Sequence, residues 1–237
     1  MAQFRTRRAP EDGVVLIDKP SGYTSHDIVA QVRRLLRPTV KKVGHAGTLD
    51  PFATGLLLIL VGRATKLARF FVDLEKEYVG TVRFGFTSDT GDRMGTIIPV
   101  GGRTNLEQIS EVLPRFVGHI QQRVPMTSAV KVDGERLYKK AHRGEVIETP
   151  IKDVEITSID VLDYDDQAQK MLFRVVCSKG TYVRQLAIDI GQAVGCGAYL
   201  DELARAAIGP FRLENALTLD VFTQAVQERA AGDLRIP

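Results

Sequence analysis

The sequence predicts an α+β fold with one large, mixed β-sheet. Segments with the two-residue repeat of strands and segments with the 3.6-residue repeat of helices follow one another in irregular order, as is typical of this class. Neither a G-x-G-x-x-G loop nor a P-loop follows the first predicted strand, which argues against a doubly wound nucleotide-binding fold. No internal repeat and no low-complexity tract is present.

The first half of the chain predicts two strands and three helices. Residues 13–18 form an apolar run that ends at the Lys19-Pro20-Ser21-Gly22 turn, and Thr24 or Ser25 caps the helix that follows. Apolar residues at helical spacing predict a short helix over 64–74. Residues 78–86 alternate between two faces, which predicts a strand. A capping box formed by Thr104 and Glu107 predicts a helix that extends to about Phe116.

The second half predicts two more strands and two more helices. Residues 152–162 and 171–177 are rich in β-branched side chains, which favour strands. Residues 182–194 carry apolar side chains at helical spacing, and a last helix is predicted from about 220 to 230.

Composition places the chain among soluble globular proteins of one or two domains. Of its 237 residues, 44% are hydrophobic and 26% are charged, which argues against intrinsic disorder. The longest apolar block, residues 56–61, is too short to span a membrane, and no secretory leader is visible. Cys177 and Cys196 cannot form a disulfide framework, so we expect reduced thiols and a cytoplasmic location.

Positive charge is concentrated in two clusters, although the net charge is only +3. Each cluster alone is as well explained by a solvated surface as by a binding site. Together they favour a surface that binds phosphate groups, because cation clusters gain affinity for nucleic acid through counterion release. The clusters comprise Arg33, Arg34, Arg37, Lys41, Lys42 and His45, and Arg136, Lys139, Lys140, His142 and Arg143.

Several chemistries are not supported by the sequence. The four histidines lack the paired spacing of a zinc site, and no G-x-S-x-G nucleophile elbow is present. Residues 87–95 lack the alternating acids of a calcium loop and predict a turn-rich loop instead. We therefore expect neither a metal nor an organic cofactor.

The most informative segment is the glycine-rich stretch from Gly44 to Gly55. Three glycines and a proline surround His45 and Asp50, so the backbone of this loop can approach a ligand closely. Composition alone favours a simpler explanation, in which Asp50 is a turn-forming residue before Pro51.

Five segments, in order, resemble the bacterial tRNA pseudouridine-55 synthase (TruB) family of the pseudouridine synthase superfamily. Their order carries the resemblance, which extends from Gly13 to about Phe211. The segments are Asp18-Lys19-Pro20-Ser21-Gly22, the loop 44–55, Lys76-Glu77-Tyr78, Ser178-Lys179-Gly180-Thr181-Tyr182-Val183-Arg184, and Gly195-Cys196-Gly197-Ala198-Tyr199-Leu200.

The resemblance implies a pseudouridine synthase fold, with a large, mostly antiparallel sheet flanked by helices and loops. It implies a catalytic domain over residues 1–214, with an RNA-gripping insertion at about 126–150. Residues 215–237 would add a short C-terminal helix and no complete PUA-like domain. The implied activity is conversion of the T-loop uridine, position 55 of tRNA, into pseudouridine by a monomer that binds the T-arm stem-loop.

The resemblance also implies roles for three catalytic residues. Asp50 acts at the ribose of an unstacked uridine, as a nucleophile or as a base. Arg184 pairs with Asp50 and keeps it ionised and oriented. Tyr78 stacks on the flipped uracil, and its hydroxyl moves a proton.

Seven further residues are implied to contact substrate. Tyr182 and Leu203 complete the base pocket, although a plain core role suits Leu203 almost as well. His45 contacts the RNA where the base is extruded. Lys19 supports the loop or a phosphate, or simply packs in the structure. Candidate phosphate contacts in the insertion are Lys139, Lys140 and Arg143.

Two rival functions remain open at this stage. One is a non-catalytic RNA-binding or RNA-folding module that uses the same basic surface. The other is a glycosidase in which Asp50 assists loss of the base to water.

Overall fold

The computed structural model describes residues 12–37 and 39–231, and it confirms the α+β prediction. Its centre is a mixed sheet of ten strands. Two short hairpins, β5–β6 (Phe86–Ser88, Ile97–Pro99) and β8–β9 (Lys131–Val132, Glu135–Arg136), lie outside this sheet. The ten strands are β1 (Gly13–Lys19), β2 (Val43–His45), β3 (Thr54–Val61), β4 (Lys76–Phe84), β7 (Gly118–Arg123), β10 (Ile151–Asp165), β11 (Lys170–Cys177), β12 (Ala198–Ile208), β13 (Phe211–Arg212) and β14 (Leu217–Thr218).

Most strands of the main sheet are antiparallel, as the family resemblance implied. The order along the sheet is β14-β1-β3-β12-β4-β11-β10-β7, with β2 added to β3 and β13 added to β12. Two pairs are parallel: β1 with β14, and β3 with β12. The β3–β12 pair is short, and it joins two predominantly antiparallel halves of the sheet at the place where the glycine-rich loop ends.

Six α-helices accompany the sheet within residues 12–37 and 39–231. α5 and α3 cover the half formed by β4, β10, β11 and β12, while α1 and α6 cover one face of β1 and β3. No helix in the described ranges is long and apolar enough to cross a membrane. The helices are α1 (Ser25–Leu35), α2 (Ala68–Asp73), α3 (Leu106–Val112), α4 (Leu137–His142), α5 (Val183–Ala193) and α6 (Leu219–Ala231).

Strand β3 is apolar because both of its faces are buried. Leu57, Ile59 and Val61 pack on the α1 side, whereas Leu56, Leu58 and Leu60 pack on the opposite side. A strand covered on both faces shows a continuous apolar run instead of alternation. The run is therefore a central strand that leads directly out of the Asp50 loop.

The predicted capping box of α3 is displaced by one residue. Asn105, not Thr104, is the N-cap: its side chain accepts the Gln108 N–H at 2.9 Å, and the Gln108 side chain accepts the Asn105 N–H at 3.1 Å. The helix also ends at Val112 and continues as a 3₁₀ turn over Leu113–Phe116. The hydroxyl of Thr104 instead donates to Gln108 Oε1.

The predicted helix over 64–74 is two shorter elements. A 3₁₀ helix covers Gly62–Leu67, and α2 follows it. A single helix would turn Leu67 and Phe71 to the same inward face, but Leu67 is exposed, whereas Phe71 packs near Phe211 with ring centroids 5.9 Å apart.

Gly55 permits the backbones of β3 and β12 to meet. Its φ is +100°, and an added Cβ would lie 2.5 Å from the carbonyl oxygen of Arg205 and 2.7 Å from its amide nitrogen. We expect Gly55→Ala to lower the free energy of unfolding by at least about 2 kcal/mol, because both strain and a backbone clash oppose the side chain. Urea unfolding measures the effect.

Gly13→Ala is the matched control, because a Cβ at Gly13 meets nothing within 4 Å. Its effect should stay within about 0.5 kcal/mol. Equal unfolding midpoints for the two variants would contradict the packing described for Gly55.

Candidate active site

Asp50 and Arg184 form a bidentate ion pair. Arg184 Nε donates to Asp50 Oδ2 at 2.8 Å, and Arg184 Nη2 donates to Asp50 Oδ1 at 3.0 Å. The Arg184 side chain is 3% exposed, whereas that of Asp50 is 33% exposed. The guanidinium thus lies inside the protein and fixes a carboxylate that solvent reaches, which is the fork-to-carboxylate geometry that arginine favours.

Further acceptors surround the guanidinium. Nη1 donates to the carbonyl of Thr90 at 3.0 Å and to the hydroxyl of Thr127, and Nη2 donates to the Thr127 carbonyl at 3.2 Å. Asp92, which is also buried, holds Oδ2 at 3.6 Å from Nε. Our sequence analysis did not identify Thr90, Asp92 or Thr127, because they lie in two loops without a distinctive motif.

Lys19 supports the Asp50 loop from within the protein. Its side chain is fully buried, and Nζ donates to the carbonyls of Pro20 (2.9 Å), Tyr23 (2.8 Å) and Pro51 (3.4 Å). Burial lowers the pKa of Lys19 to about 8, and the Asp50 carboxylate opposes this shift. These contacts favour the expected loop-supporting role of Lys19 over a phosphate contact.

Arg205 holds the same loop from β12, and the sequence analysis missed it. The side chain is buried, and its guanidinium donates to the carbonyls of Leu56 (2.8 Å), Gly47 (3.2 Å) and Thr48 (3.3 Å). We did not predict a strand at 198–208. Such a strand places Arg205 on the same face as the buried Leu203 and Ala207. This alternation was the one feature of the sequence that could have indicated a buried arginine.

Tyr78 and Leu203 belong to the apolar wall next to the loop. Both are buried in a cluster that includes Leu49 and Phe52, the neighbours of Asp50 in the loop. Burial raises the pKa of the Tyr78 hydroxyl, although the positive charge of Arg205 opposes the rise. Tyr78 therefore keeps its proton throughout the neutral pH range.

His45 is half-buried at the start of the loop. Burial lowers its pKa, and the charge of Arg205 lowers it further, so the imidazole is neutral at pH 7. Within the described residues, its buried Nδ1 has no hydrogen-bond partner.

Tyr182 immediately precedes α5 and is clamped by a buried glutamine. The Gln122 side chain accepts the Tyr182 N–H at 2.7 Å and donates to the Tyr182 carbonyl at 3.0 Å. This clamp fixes the start of α5, two residues before Arg184. Burial raises the pKa of the Tyr182 hydroxyl.

The basic candidates Lys139, Lys140 and Arg143 lie on and beside α4. Lys139 is exposed and Lys140 is half-buried. Arg143 is already paired within the protein: it binds both carboxylate oxygens of Glu135, at 2.8 and 2.7 Å, and Glu145 at 2.7 Å. These ion pairs favour a bracing role for Arg143 over a phosphate contact.

No group of three or more histidine, cysteine or acidic side chains is arranged to ligate a metal in the described part of the chain. The polar side chains at the loop instead form a charge arrangement in which three buried cations, Lys19, Arg184 and Arg205, surround the loop that bears Asp50. Such an arrangement can stabilise an ionised carboxylate and hold it in a fixed position for reaction.

We expect the pKa of Lys19 to lie near 8 and to fall further in the Asp50→Asn variant, because the carboxylate that opposes the shift is lost. An unfolded chain keeps the lysine proton up to about 10.5, so it binds more protons than the folded chain between pH 8 and 10.5. Lys19 therefore makes the free energy of unfolding rise with pH between about 8 and 10.5. Nuclear magnetic resonance of lysines labelled with ¹³C at Cε measures the pKa. An unchanged or higher value in Asp50→Asn would contradict the predicted coupling.

Two family models match adjacent parts of the chain. The N-terminal domain of the TruB family of pseudouridylate synthases matches residues 33–183, and the C-terminal domain of tRNA pseudouridylate synthase B matches residues 184–235. Among similar proteins, the tRNA pseudouridine synthase B of Dechloromonas aromatica is 46% identical over 92% of this chain and 72% of its own length. That of Opitutus terrae is 44% identical over 88% of this chain and 86% of its own.

Solved structures agree with this assignment. The fold resembles a chain in a Cbf5-Nop10-Gar1 complex, with a TM-score of 0.74 and 30% identity. It also resembles a chain of an H/ACA RNP bound to a substrate RNA that contains 2′-deoxyuridine, with a TM-score of 0.71 and 28% identity. Each likeness covers 94% of this chain, which spans 57% and 56% of those two chains. Sequence, family models and fold together show that the chain belongs to the TruB family of tRNA pseudouridine synthases, which are isomerases.

Proposed function

We propose that this enzyme converts the T-loop uridine at position 55 of tRNA into pseudouridine, with Asp50 as the residue that acts on the ribose. The observation that carries the proposal is the Asp50–Arg184 pair, in which a buried guanidinium holds a solvent-accessible carboxylate. The substrate is assigned from the relatives, whose name is tRNA pseudouridine synthase B.

The reaction is an isomerisation that needs neither an oxidant nor a second substrate. The N1–C1′ bond of the uridine breaks, the detached base turns, and C5 bonds to C1′. The proton on C5 leaves, and N1 gains a proton, so atoms and charge balance. An anionic carboxylate assists either as a nucleophile at C1′ or as a base at the sugar, and Arg184 holds the Asp50 carboxylate in place through two hydrogen bonds.

The uridine must leave its stack to reach Asp50. We infer that Tyr78 provides the aromatic surface for the flipped base, with Leu203 beside it in the same apolar wall. The hydroxyl of Tyr78 retains its proton at neutral pH, so it can donate a hydrogen bond or relay a proton. Tyr182 and the neutral imidazole of His45 complete our proposed contacts with the RNA.

We further propose that the enzyme acts as a cytoplasmic monomer on the T-arm stem-loop. The insertion at about 126–150 would grip the RNA backbone through Lys139 and Lys140. Arg143 holds Glu135 and Glu145 and thereby stiffens the same segment. Phosphate contacts of this kind position an RNA without reading its sequence.

Asp50→Asn should abolish isomerisation, because the amide is neither a nucleophile nor a base near neutral pH. The affinity for tRNA should stay within about twofold of the wild-type value. Formation of the C5–C1′ bond expels the C5 hydrogen, so tRNA tritiated at uridine C5 releases label to water with the wild-type enzyme. Asp163→Asn, at an exposed carboxylate on β10, is the control and should release label at the wild-type rate.

The same assay separates the rival functions. A glycosidase would leave free uracil and an abasic ribose, which chromatography detects. A binding module would hold tRNA without any release of label. Either result with the wild-type enzyme would refute the proposed function.

Replacing both Lys139 and Lys140 by alanine should weaken tRNA binding. It should also reduce the slope of log affinity against log salt by about 1 to 2, because binding that neutralises fewer phosphates releases fewer counterions. Arg143→Ala should change that slope by less, since its guanidinium is committed to two glutamates. Filter binding at a series of salt concentrations measures both. An unchanged slope in the double variant would place the RNA elsewhere.

A further inference from the structure

Every N–H of Arg184 has an acceptor. A guanidinium carries five N–H donors. Nε uses Asp50 Oδ2, Nη2 uses Asp50 Oδ1 and the carbonyl of Thr127, and Nη1 uses the carbonyl of Thr90 and the hydroxyl of Thr127. Thr127 therefore supplies two of the five acceptors, as many as Asp50 itself.

These acceptors decide which carboxylate the guanidinium faces. Asp92 Oδ2 lies 3.6 Å from Arg184 Nε, so a second acid is within reach of the same fork. Thr90 and Thr127 anchor Nη1, the one guanidinium nitrogen that does not donate to Asp50. With Nη1 anchored, both Nε and Nη2 point at Asp50. If one anchor were lost, the fork could turn toward Asp92, and Asp50 would lose its bidentate partner.

Thr127 also lies at the beginning of the insertion that carries the basic residues. The carbonyl of the next residue, Ser128, accepts the N–H of Tyr138 at 3.0 Å, and the carbonyl of Val130 accepts the N–H of Leu137 at 2.8 Å. Both donors belong to the first turn of α4, which bears Lys139 and Lys140. A short hydrogen-bonded path thus runs from the proposed RNA-gripping helix to the guanidinium of Arg184.

We propose that Thr127 is a positioning residue, which orients Arg184 toward Asp50 and anchors the active site to the beginning of the insertion. This inference rests on the proposed function, because it assigns Asp50 the central role. Thr127 affects the rate of the chemical step and not the strength of tRNA binding. The hydroxyl is the part of Thr127 that a substitution can remove while the carbonyl stays in place.

Thr127→Val, which replaces the hydroxyl by a methyl group of similar size, should lower the single-turnover rate of label release about tenfold. The dissociation constant for tRNA should stay within about twofold of wild type. Thr127→Ser restores the hydroxyl and should recover most of the rate. Thr223→Val, which removes a hydroxyl-to-carbonyl hydrogen bond of 2.7 Å in α6, should leave the rate unchanged.

Three outcomes overturn the inference: a Thr127→Val rate within twofold of wild type, a Thr127→Ser rate as low as that of Thr127→Val, or an equal loss of rate and tRNA affinity. If Thr127→Val does not fold, Thr127→Ala compared with Thr127→Ser isolates the same hydroxyl in a smaller side chain.

A measurement without substrate keeps this inference separate from the proposed function. In protein labelled with ¹⁵N at arginine, the Nη groups of Arg184 should give resolved resonances, because hydrogen bonds to Asp50, Thr90 and Thr127 block their rotation. Thr127→Val should broaden the Nη1 signal and leave the Nε signal unchanged. Unaltered Nη1 signals would refute the positioning role, whereas absence of label release by the wild-type enzyme would refute the proposed function alone.

Discussion

The arrangement around Asp50 depends on a buried guanidinium that is matched at every donor. Removing a charged group from water is costly unless hydrogen bonds and an opposite charge replace the solvent. Arg184 meets this requirement with acceptors from three separate segments: the loop before β3, the turn after β5 and the loop after β7. The same contacts that make burial tolerable therefore also fix the carboxylate in space.

Two further cations restrict the loop itself. Lys19 binds the carbonyl of Pro51 on one side of Asp50, and Arg205 binds those of Gly47 and Thr48 on the other. Backbone carbonyls rather than acids accept the hydrogen bonds of both cations, so of the three cations only Arg184 donates to the Asp50 carboxylate. These contacts hold the loop on both sides while its carboxylate stays accessible, which is the preorganisation that the proposed role of Asp50 requires.

Sequence reasoning succeeded where local periodicity and tertiary packing agree. Strand β4 alternates buried and half-buried residues along its whole length, and α5 shows one apolar face, so both were predicted. Strand β12 was missed because its alanine-rich sequence has low strand propensity, and pairing with β4 and β3 determines its conformation. The partnership of Asp50 with Arg184 followed from the family resemblance. The contacts of Arg205 and Thr127 could not be predicted, because their partners are distant in sequence: backbone carbonyls for Arg205 and the Arg184 side chain for Thr127.

The long sequence separations within the site have a consequence for biosynthesis. Asp50 and Arg184 are 134 positions apart, and Arg205 reaches back 158 positions to Gly47. A nascent chain on the ribosome therefore cannot stabilise the loop until most of the polypeptide has emerged from the exit tunnel. Closure of such distant contacts slows folding, so assembly of the reactive centre is a late event. A chain that ends before Arg184 would lack two of the three buried cations that hold this loop, Arg184 and Arg205.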